Sequence, residues 1–252
     1  MAGRVSTPGA TVVSRALSLL FAFDDQHRRL TLTELAARAN LPLPTTHRLI
    51  GELVTGGALT RQSDGQYVVT RKLWGVGLLA PLPSGLRETA GPFLNDIHAA
   101  TRATVHLAIR EGIRTLYLER MTGRASVPVV STVGSYLPLH STGVGKVLLA
   151  YAPDDVQEEA MKQLTRFTPH TITHPGRLAR QLVEIRERGY ATTTEEMTLG
   201  ACSVAVPIRP VGPDGPVVAA VGLVVPNLRS HRAALLAALQ VAAQGIGRSI
   251  TT

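Results

Sequence analysis

Two short helical segments separated by a brief interruption restrict the fold of this chain more than any other feature of its sequence. Residues 31–40 have apolar side chains at helical spacing, and residues 44–55 have the same pattern. Leu41 and Pro42 lie between them, and proline at position 42 cannot continue the first helix. A short gap between two helices is typical of a helix-turn-helix unit.

The flanking segments complete a winged form of this unit. Residues 12–23 have apolar side chains at helical spacing, which predicts a preceding helix. Residues 58–61 and 66–69 alternate like strands, and Asp64-Gly65 between them is a strong hairpin signal. The first 72 residues are therefore predicted to form three helices followed by a two-stranded wing.

The third helix of such a unit enters the major groove of DNA with its N-terminal residues closest to the base edges. We predict DNA contacts from that helix at Pro44, Thr45, Thr46, His47 and Arg48. The wing and the first helix add candidate contacts at Arg61, Ser63 and Arg15. The alternative for the charged residues among these is an ordinary solvent-exposed surface.

The charge of the chain agrees with a nucleic-acid partner. The formal net charge is +8, and residues 1–80 hold 9 basic and 5 acidic residues against 17 and 13 in residues 81–252. The first third is therefore the more basic part per residue. A single cysteine excludes a thiolate zinc cluster within the chain, and His170 with His174 lacks a third ligand, so no metal and no cofactor are expected.

The remainder of the chain is predicted to form an α+β domain. Glycine and proline concentrate in residues 75–85, which marks a domain boundary. A helix is expected over residues 86–100, where Pro92 should kink it or mark a junction. Strands are expected at 104–110, 114–120, 127–133, 190–195, 203–208 and 217–225, with helices at 143–151, 154–164, 176–188 and 230–246. The hairpin connections indicate a mostly antiparallel sheet.

Several motifs in this order resemble the IclR family of bacterial transcription regulators. They are TLTELAARANLPLPTTHRLIGELVTGGAL, YVVTRKLWGVG, LRETAGPFLNDI, PLHSTGVGKVLLA, RERGYATTTEE, GACSVAVPI and GPVVAAVGLVV. The resemblance implies a winged helix-turn-helix domain at 11–74, a linker and linker helix at 75–101, and a GAF-like effector-binding domain at 102–252. It also implies homodimers that pair into tetramers, in the cytoplasm and without a membrane partner.

The resemblance further implies a pocket for a small organic effector in the second domain. The residues that it assigns to this pocket are Gly143, Val144, Thr193, Ala201, Cys202, Ser203, Gly222 and Val224. Some relatives have an acid in place of Thr193 and serines in place of Gly222 and Val224. Because fewer fixed polar groups remain, we expect an effector with an apolar or aromatic body and one polar end. Independently, the glycine-rich run 140–146 before a helix suits an anion, although a plain loop-to-helix junction would have the same residues.

The function expected from these features is a ligand-responsive repressor of a catabolic operon that binds a pseudo-palindromic operator in double-stranded DNA. The alternative is a hydrolase-type enzyme that uses His140 and Ser141, or Cys202, beside an accessory basic domain. No GxSxG elbow surrounds Ser141, and no carboxylate lies near His140 in the sequence. A further alternative keeps the effector domain but has the winged helix bind a protein.

Overall fold

The computed structural model describes residues 11–24, 27–77, 79, 85–123, 127, 129–210, 212, 215–228 and 232–250. The chain divides into two compact units, and the division lies between residues 81 and 82. The tail predicted at residues 1–10 lies outside the described residues. Each unit is built around its own buried apolar side chains.

The first unit contains three helices followed by a two-stranded antiparallel hairpin. They are α1 (Val12–Leu20), α2 (Leu32–Arg38), α3 (Leu43–Thr55), β1 (Leu59–Arg61) and β2 (Tyr67–Val69). A capping box begins α2, since Thr31 accepts from the Glu34 amide while Glu34 accepts from the Thr31 amide at 2.7 Å. Leu19, Leu35 and Leu49 pack together at the centre of this unit. The predicted winged helix-turn-helix order is present.

Two elements of this unit differ from the sequence prediction. Helix α1 ends at Leu20, with Phe21 as its C-cap, rather than continuing to residue 23. A further helix, α4 (Arg71–Gly77), spans the end of the predicted wing unit and the start of the predicted glycine-rich boundary. The Thr70 hydroxyl accepts from the Leu73 amide at 3.4 Å, and this contact at the start of α4 offsets part of the low helix propensity of its glycines.

The second unit is built on an antiparallel sheet that has six strands among the described residues. They are β3 (Thr104–Glu111), β4 (Arg114–Met121), β5 (Tyr136–Pro138), β6 (Ala191–Thr194), β7 (Cys202–Ile208) and β8 (Ala219–Val225), in the order β5-β4-β3-β8-β7-β6. The strand predicted at 127–133 is wrong: its described residues form no strand, and β5 pairs with β4 instead. Val129 and Val130 line a cavity, which explains their apolar character without a place in the sheet.

Helices cover both faces of this sheet. They are α5 (Leu86–Thr101), α6 (Gly143–Ala150), α7 (Asp154–Met161), α8 (Pro175–Arg188) and α9 (Arg232–Ile250). One face packs against α5 and α9, and the other packs against α6 and α8. Helix α5 runs on past Pro92, and its Leu86 and Leu94 belong to the core of this unit, so Pro92 marks no junction.

Helix α9 is long and apolar enough to cross a membrane by length and composition alone. Its Leu235, Leu239 and Ile246 nevertheless pack into the core beside α5 and the sheet. These apolar side chains of α9 therefore contribute to the core of this unit.

Candidate functional site

The N-terminal turn of α3 presents an exposed, partly basic face. Pro44, His47 and Arg48 are exposed, and Thr45 is half-buried. Pro42 is the N-cap and provides no side-chain hydrogen bond to the first amides of the helix. Those amides carry the positive end of the helix dipole, which suits a phosphate. This face combines hydrogen-bond donors, a guanidinium group and an uncapped helix N-terminus.

Thr46 does not belong to this face. Its side chain is fully buried, and its hydroxyl has no hydrogen-bond partner among the described residues. Thr46 precedes the core residues Leu49 and Ile50 by three and four positions, so helical geometry places it on the inner side of α3. We therefore remove Thr46 from the candidate DNA contacts, because it packs inside the unit.

The hairpin places two further candidates at the surface. Arg61 and Ser63 are exposed, and the Arg61 guanidinium lies over the Tyr67 ring at 5.9 Å from the ring centroid. Gly65 has φ of +82°, the left-handed conformation that a tight hairpin turn requires. Arg15, the candidate on α1, is half-buried.

A cavity lies in the second unit between the N-terminus of α6 and the sheet, and we call it the α6 cavity. It holds about 490 Å³ of space free of protein atoms, including its open mouth. Seven of the eight residues predicted for the effector pocket line it, namely Gly143, Val144, Thr193, Ala201, Ser203, Gly222 and Val224. Because these residues come from α6, β6, β7, β8 and the segment before β7, only the folded unit brings them together.

Cys202 is the predicted pocket residue that the structure places elsewhere. Its side chain belongs to the core on the α5 and α9 face of the sheet, whereas Ser203 lines the cavity on the other face. Successive side chains of a strand point to opposite faces, so the Cys202 side chain is directed away from the face on which Ser203 lies. We therefore remove Cys202 from the candidate effector contacts.

Sequence reasoning missed His106, Tyr117 and Ser131, which also line the α6 cavity. The strand register gives the signal that could have found the first two. His106 is paired with Gly222, and Ala108 is paired with both Tyr117 and Ala220. Paired residues in antiparallel strands share a face, so a correct alignment of β3 with β8 would have placed His106 beside a predicted pocket residue.

The polar groups of the cavity are uncharged. His106 Nε2 and Ser131 Oγ lie 2.8 Å apart, and Thr193 Oγ1 and Ser203 Oγ lie 2.6 Å apart. Burial, aided by the charge of Arg120, lowers the pKa of His106 to about 3, so its imidazole is neutral at physiological pH. Burial likewise raises the pKa of Tyr117 to about 12. Among its described lining residues the cavity has no Asp, Glu, Lys or Arg.

The N-terminus of α6 reaches the cavity because glycine occupies its first position. A Cβ on Gly143 would lie 2.5 Å from Ser203 Oγ, so no larger residue fits without displacement. The Thr142 hydroxyl accepts from the Gly145 amide at 3.1 Å and caps the helix. The amides of Gly143 and Val144 have no acceptor within the helix, which makes this end suitable for one negative charge.

Lys146 of the same glycine-rich motif does not face the cavity. Its ammonium is fully buried and donates to Glu196 Oε1 at 2.6 Å, to Glu196 Oε2 at 2.7 Å and to Gln181 Oε1 at 2.7 Å. Burial lowers the pKa of Lys146, and the Glu196 carboxylate opposes this shift. Lys146 therefore ties α6 to the segment that follows β6, which carries the cavity residue Met197.

The residues of the hydrolase hypothesis do not converge. His140 Nε2 lies 2.9 Å from the Thr165 carbonyl oxygen, and His140 lines a separate depression rather than the α6 cavity. Ser141 donates to Met197 Sδ at 3.3 Å, and Cys202 lies on the opposite face of the sheet. Their placement gives no nucleophile and base within hydrogen-bond reach of each other.

The Val144 side chain leaves no room for a side chain at position 222. A Cβ at position 222 would lie 2.9 Å from Val144 Cγ1 and 3.1 Å from Ala205 Cβ. We expect Gly222→Ser to lower the free energy of unfolding by about 1–2 kcal/mol through overpacking. Urea denaturation followed by circular dichroism measures this loss. In the Val144→Ala background the same substitution should cost less, and equal costs in both backgrounds would disprove the contact.

Comparison with known proteins gives matches over both units. Residues 12–63 match the IclR helix-turn-helix domain, and residues 83–248 match the C-terminal domain of the bacterial transcriptional regulator IclR. The HTH-type transcriptional regulator BhcR of Paracoccus denitrificans is 34% identical over 244 residues, which cover 93% of this chain and 84% of BhcR.

Solved structures agree with these matches. An IclR homologue from Microbacterium hydrocarbonoxydans, complexed with 4-hydroxybenzoate, is 31% identical with a TM-score of 0.86, covering 95% of this chain and 99% of that chain. The Thermotoga maritima IclR is also 31% identical, with a TM-score of 0.74, covering 95% of this chain and 98% of that chain. These similarities extend over the winged helix and the unit that holds the α6 cavity.

Proposed function

The chain belongs to the IclR family of bacterial transcriptional regulators, and from this premise we propose that it represses a catabolic operon in response to an aromatic carboxylate. The observation that carries the proposal is the exposed N-terminal face of α3 with Arg48, in a unit that also has a two-stranded wing. Regulation of this kind takes place on the chromosome, so the protein acts in the cytoplasm.

The DNA-binding part of the proposal rests on the geometry of α3. His47 and Arg48 are exposed at the end of the helix that a helix-turn-helix unit inserts into the major groove. The guanidinium of Arg48 can bond a guanine edge with two N–H groups, and Arg61 on the wing can neutralise a phosphate. A protein ligand for the winged helix would not show the steep salt dependence that phosphate contacts produce.

The effector part of the proposal rests on the α6 cavity. Its walls combine apolar side chains, such as Val144, Leu137 and Val224, with the amides at the start of α6. A carboxylate on those amides and a ring against the apolar wall satisfy both kinds of surface. The Microbacterium hydrocarbonoxydans homologue complexed with 4-hydroxybenzoate supports an aromatic acid as the effector.

A two-fold symmetric dimer is part of the proposal, because two recognition helices on one face of DNA require it. Helix α1 leaves an apolar stripe at the surface, where Val13 is 68%, Leu17 43% and Phe21 79% exposed. A second copy of the chain would cover such a stripe. Pairing of dimers through the effector units would give the tetramer.

Arg48 is expected to contribute directly to operator affinity. Arg48→Ala should weaken binding to the operator by about 1–3 kcal/mol, because one bidentate or phosphate contact is lost. Fluorescence anisotropy with labelled promoter DNA measures the loss. Arg180→Ala removes the same charge from the exposed surface of α8 and serves as the control, with affinity unchanged. Equal affinities of the wild type and Arg48→Ala would remove Arg48 from the DNA-binding surface.

The overall proposal is tested with DNA from the intergenic region upstream of the gene itself. We expect a salt-dependent gel shift with this DNA and a change in its midpoint when 4-hydroxybenzoate is added. A reporter gene fused to the same region should be expressed more strongly when the regulator gene is deleted. Absence of the gel shift would contradict DNA-binding regulation. A gel shift whose midpoint does not change when aromatic acids are added would contradict only the proposed effector class.

A further inference from the structure

His106 and Ser131 form a polar pair on the wall of the α6 cavity that the sequence motifs do not include. Both side chains are buried, His106 with 5% and Ser131 with 2% of its surface exposed, and both line the cavity. The 2.8 Å contact between His106 Nε2 and Ser131 Oγ fixes one nitrogen of the ring. The pair lies on β3 and on the irregular segment before β5, which are separate in sequence from the glycine-rich motif of α6.

The surrounding structure holds this pair in place. The Tyr117 ring meets the His106 ring edge-on, with the centroids 5.0 Å apart. Arg120, opposite His106 in the β3–β4 register, donates from Nη1 to the Ser131 carbonyl oxygen and so anchors that irregular segment. Arg120 is not among the residues that line the cavity. Ser131 is therefore positioned from both its backbone and its side chain.

The chemistry of the pair favours an uncharged partner. The single contact with Nε2 leaves the Ser131 hydroxyl able to form a further hydrogen bond, since a hydroxyl is both a donor and an acceptor. A ligand hydroxyl is also both a donor and an acceptor. It can therefore form a hydrogen bond with the Ser131 hydroxyl whether the proton between Ser131 Oγ and His106 Nε2 belongs to the serine or to the histidine. A second carboxylate would instead lose its water without meeting a cation among the described lining residues.

We propose that His106 and Ser131 form a subsite that selects ring-bearing monocarboxylates with an uncharged hydroxyl group and rejects dicarboxylates. The inference rests on the proposed function in one respect, which is that the carboxylate of the effector binds at the N-terminus of α6. The subsite then determines which member of the aromatic-acid class the regulator recognises.

The test is calorimetric titration of the full-length protein with benzoate, 4-hydroxybenzoate and benzene-1,4-dicarboxylate. The wild type should bind 4-hydroxybenzoate about tenfold more tightly than benzoate, the effect of one buried hydrogen bond. The dicarboxylate should bind more weakly than benzoate. In His106→Phe and in Ser131→Ala the affinity for 4-hydroxybenzoate relative to benzoate should fall from about tenfold to about one, whatever the change in the affinity for benzoate itself.

The control is His140→Phe, which makes the same change at a buried histidine that does not line the α6 cavity. This variant should still bind 4-hydroxybenzoate about tenfold more tightly than benzoate. Ser131→Ala preserves the imidazole and the chain path, so it answers the question even if His106→Phe fails to fold. A preference that survives in Ser131→Ala, or a dicarboxylate that binds as well as 4-hydroxybenzoate, would overturn the subsite.

The outcomes separate this inference from the proposed function. Binding of benzoate and 4-hydroxybenzoate with equal affinity would leave the aromatic effector in place and overturn the subsite. Failure of all three acids to bind, with the gel shift of promoter DNA intact, would overturn both the effector class and the subsite but not DNA-binding regulation.

Discussion

Lys146→Met is expected to lower the free energy of unfolding of the effector unit by about 3–5 kcal/mol. The ammonium of Lys146 is fully buried against the Glu196 carboxylate, at 2.6 and 2.7 Å from its two oxygens. Removing the cation leaves a buried carboxylate without its ion-pair partner, and the cost of that desolvation dominates. Urea denaturation of the full chain, followed by circular dichroism, measures the change.

Two variants separate this effect from the loss of packing. The double variant Lys146→Met/Glu196→Met removes both charges, and it should recover most of the stability, since a buried ion pair is often replaceable by apolar side chains. Lys162→Met breaks the exposed pair with Glu159, at 3.0 Å, and should cause no measurable loss. A double variant as unstable as Lys146→Met would show that the charge pair is not the cause.

The Lys146–Glu196 ion pair also lies next to the α6 cavity. Glu196 adjoins Met197, which lines the α6 cavity and accepts a hydrogen bond from Ser141. Lys146 therefore holds one wall of the cavity against the helix whose N-terminus forms another. This placement explains the lysine of the glycine-rich motif without a phosphate ligand.

The local signals in the sequence predicted most of the fold. The proline between α2 and α3 and the Asp-Gly turn of the wing act through neighbouring residues, so they can be recognised without the tertiary structure. The strand predicted at 127–133 failed because a valine-rich segment can line a cavity as well as a sheet. Apolar character alone shows that a side chain is covered and not what covers it.

At the candidate sites, the sequence motifs likewise did not show to which side individual residues direct their side chains. The resemblance assigned Ala201, Cys202 and Ser203 together, yet strand alternation turns Cys202 to the opposite face. Thr46 failed for the corresponding reason on a helix, since its position falls on the buried side of α3. His106 required the register of β3 with β8, which depends on strand pairing between residues more than a hundred positions apart.

Gly145→Ala is expected to lower the free energy of unfolding by about 3 kcal/mol and to weaken effector binding at the same time. A Cβ at position 145 would lie 2.6 Å from the Leu139 carbonyl oxygen and 2.9 Å from Leu139 Cα. Both are backbone atoms, so a side-chain rotation cannot relieve the contact, and the first turn of α6 must move. The Thr142 cap would be strained as well, because the same Cβ lies 2.6 Å from Thr142 Oγ1.

The matched control is Gly176→Ala, which makes the same substitution in the first turn of α8 in the same unit. Its Cβ would meet only the exposed His174 ring, at 3.3 Å from Cε1, and that ring can rotate away. Thermal denaturation and titration with 4-hydroxybenzoate should therefore show wild-type behaviour for Gly176→Ala and a joint loss of stability and affinity for Gly145→Ala. If Gly145→Ala lost stability but kept its affinity, the α6 N-terminus would not be the carboxylate site, because the displacement of those amides must change the distance to any ligand that they hold.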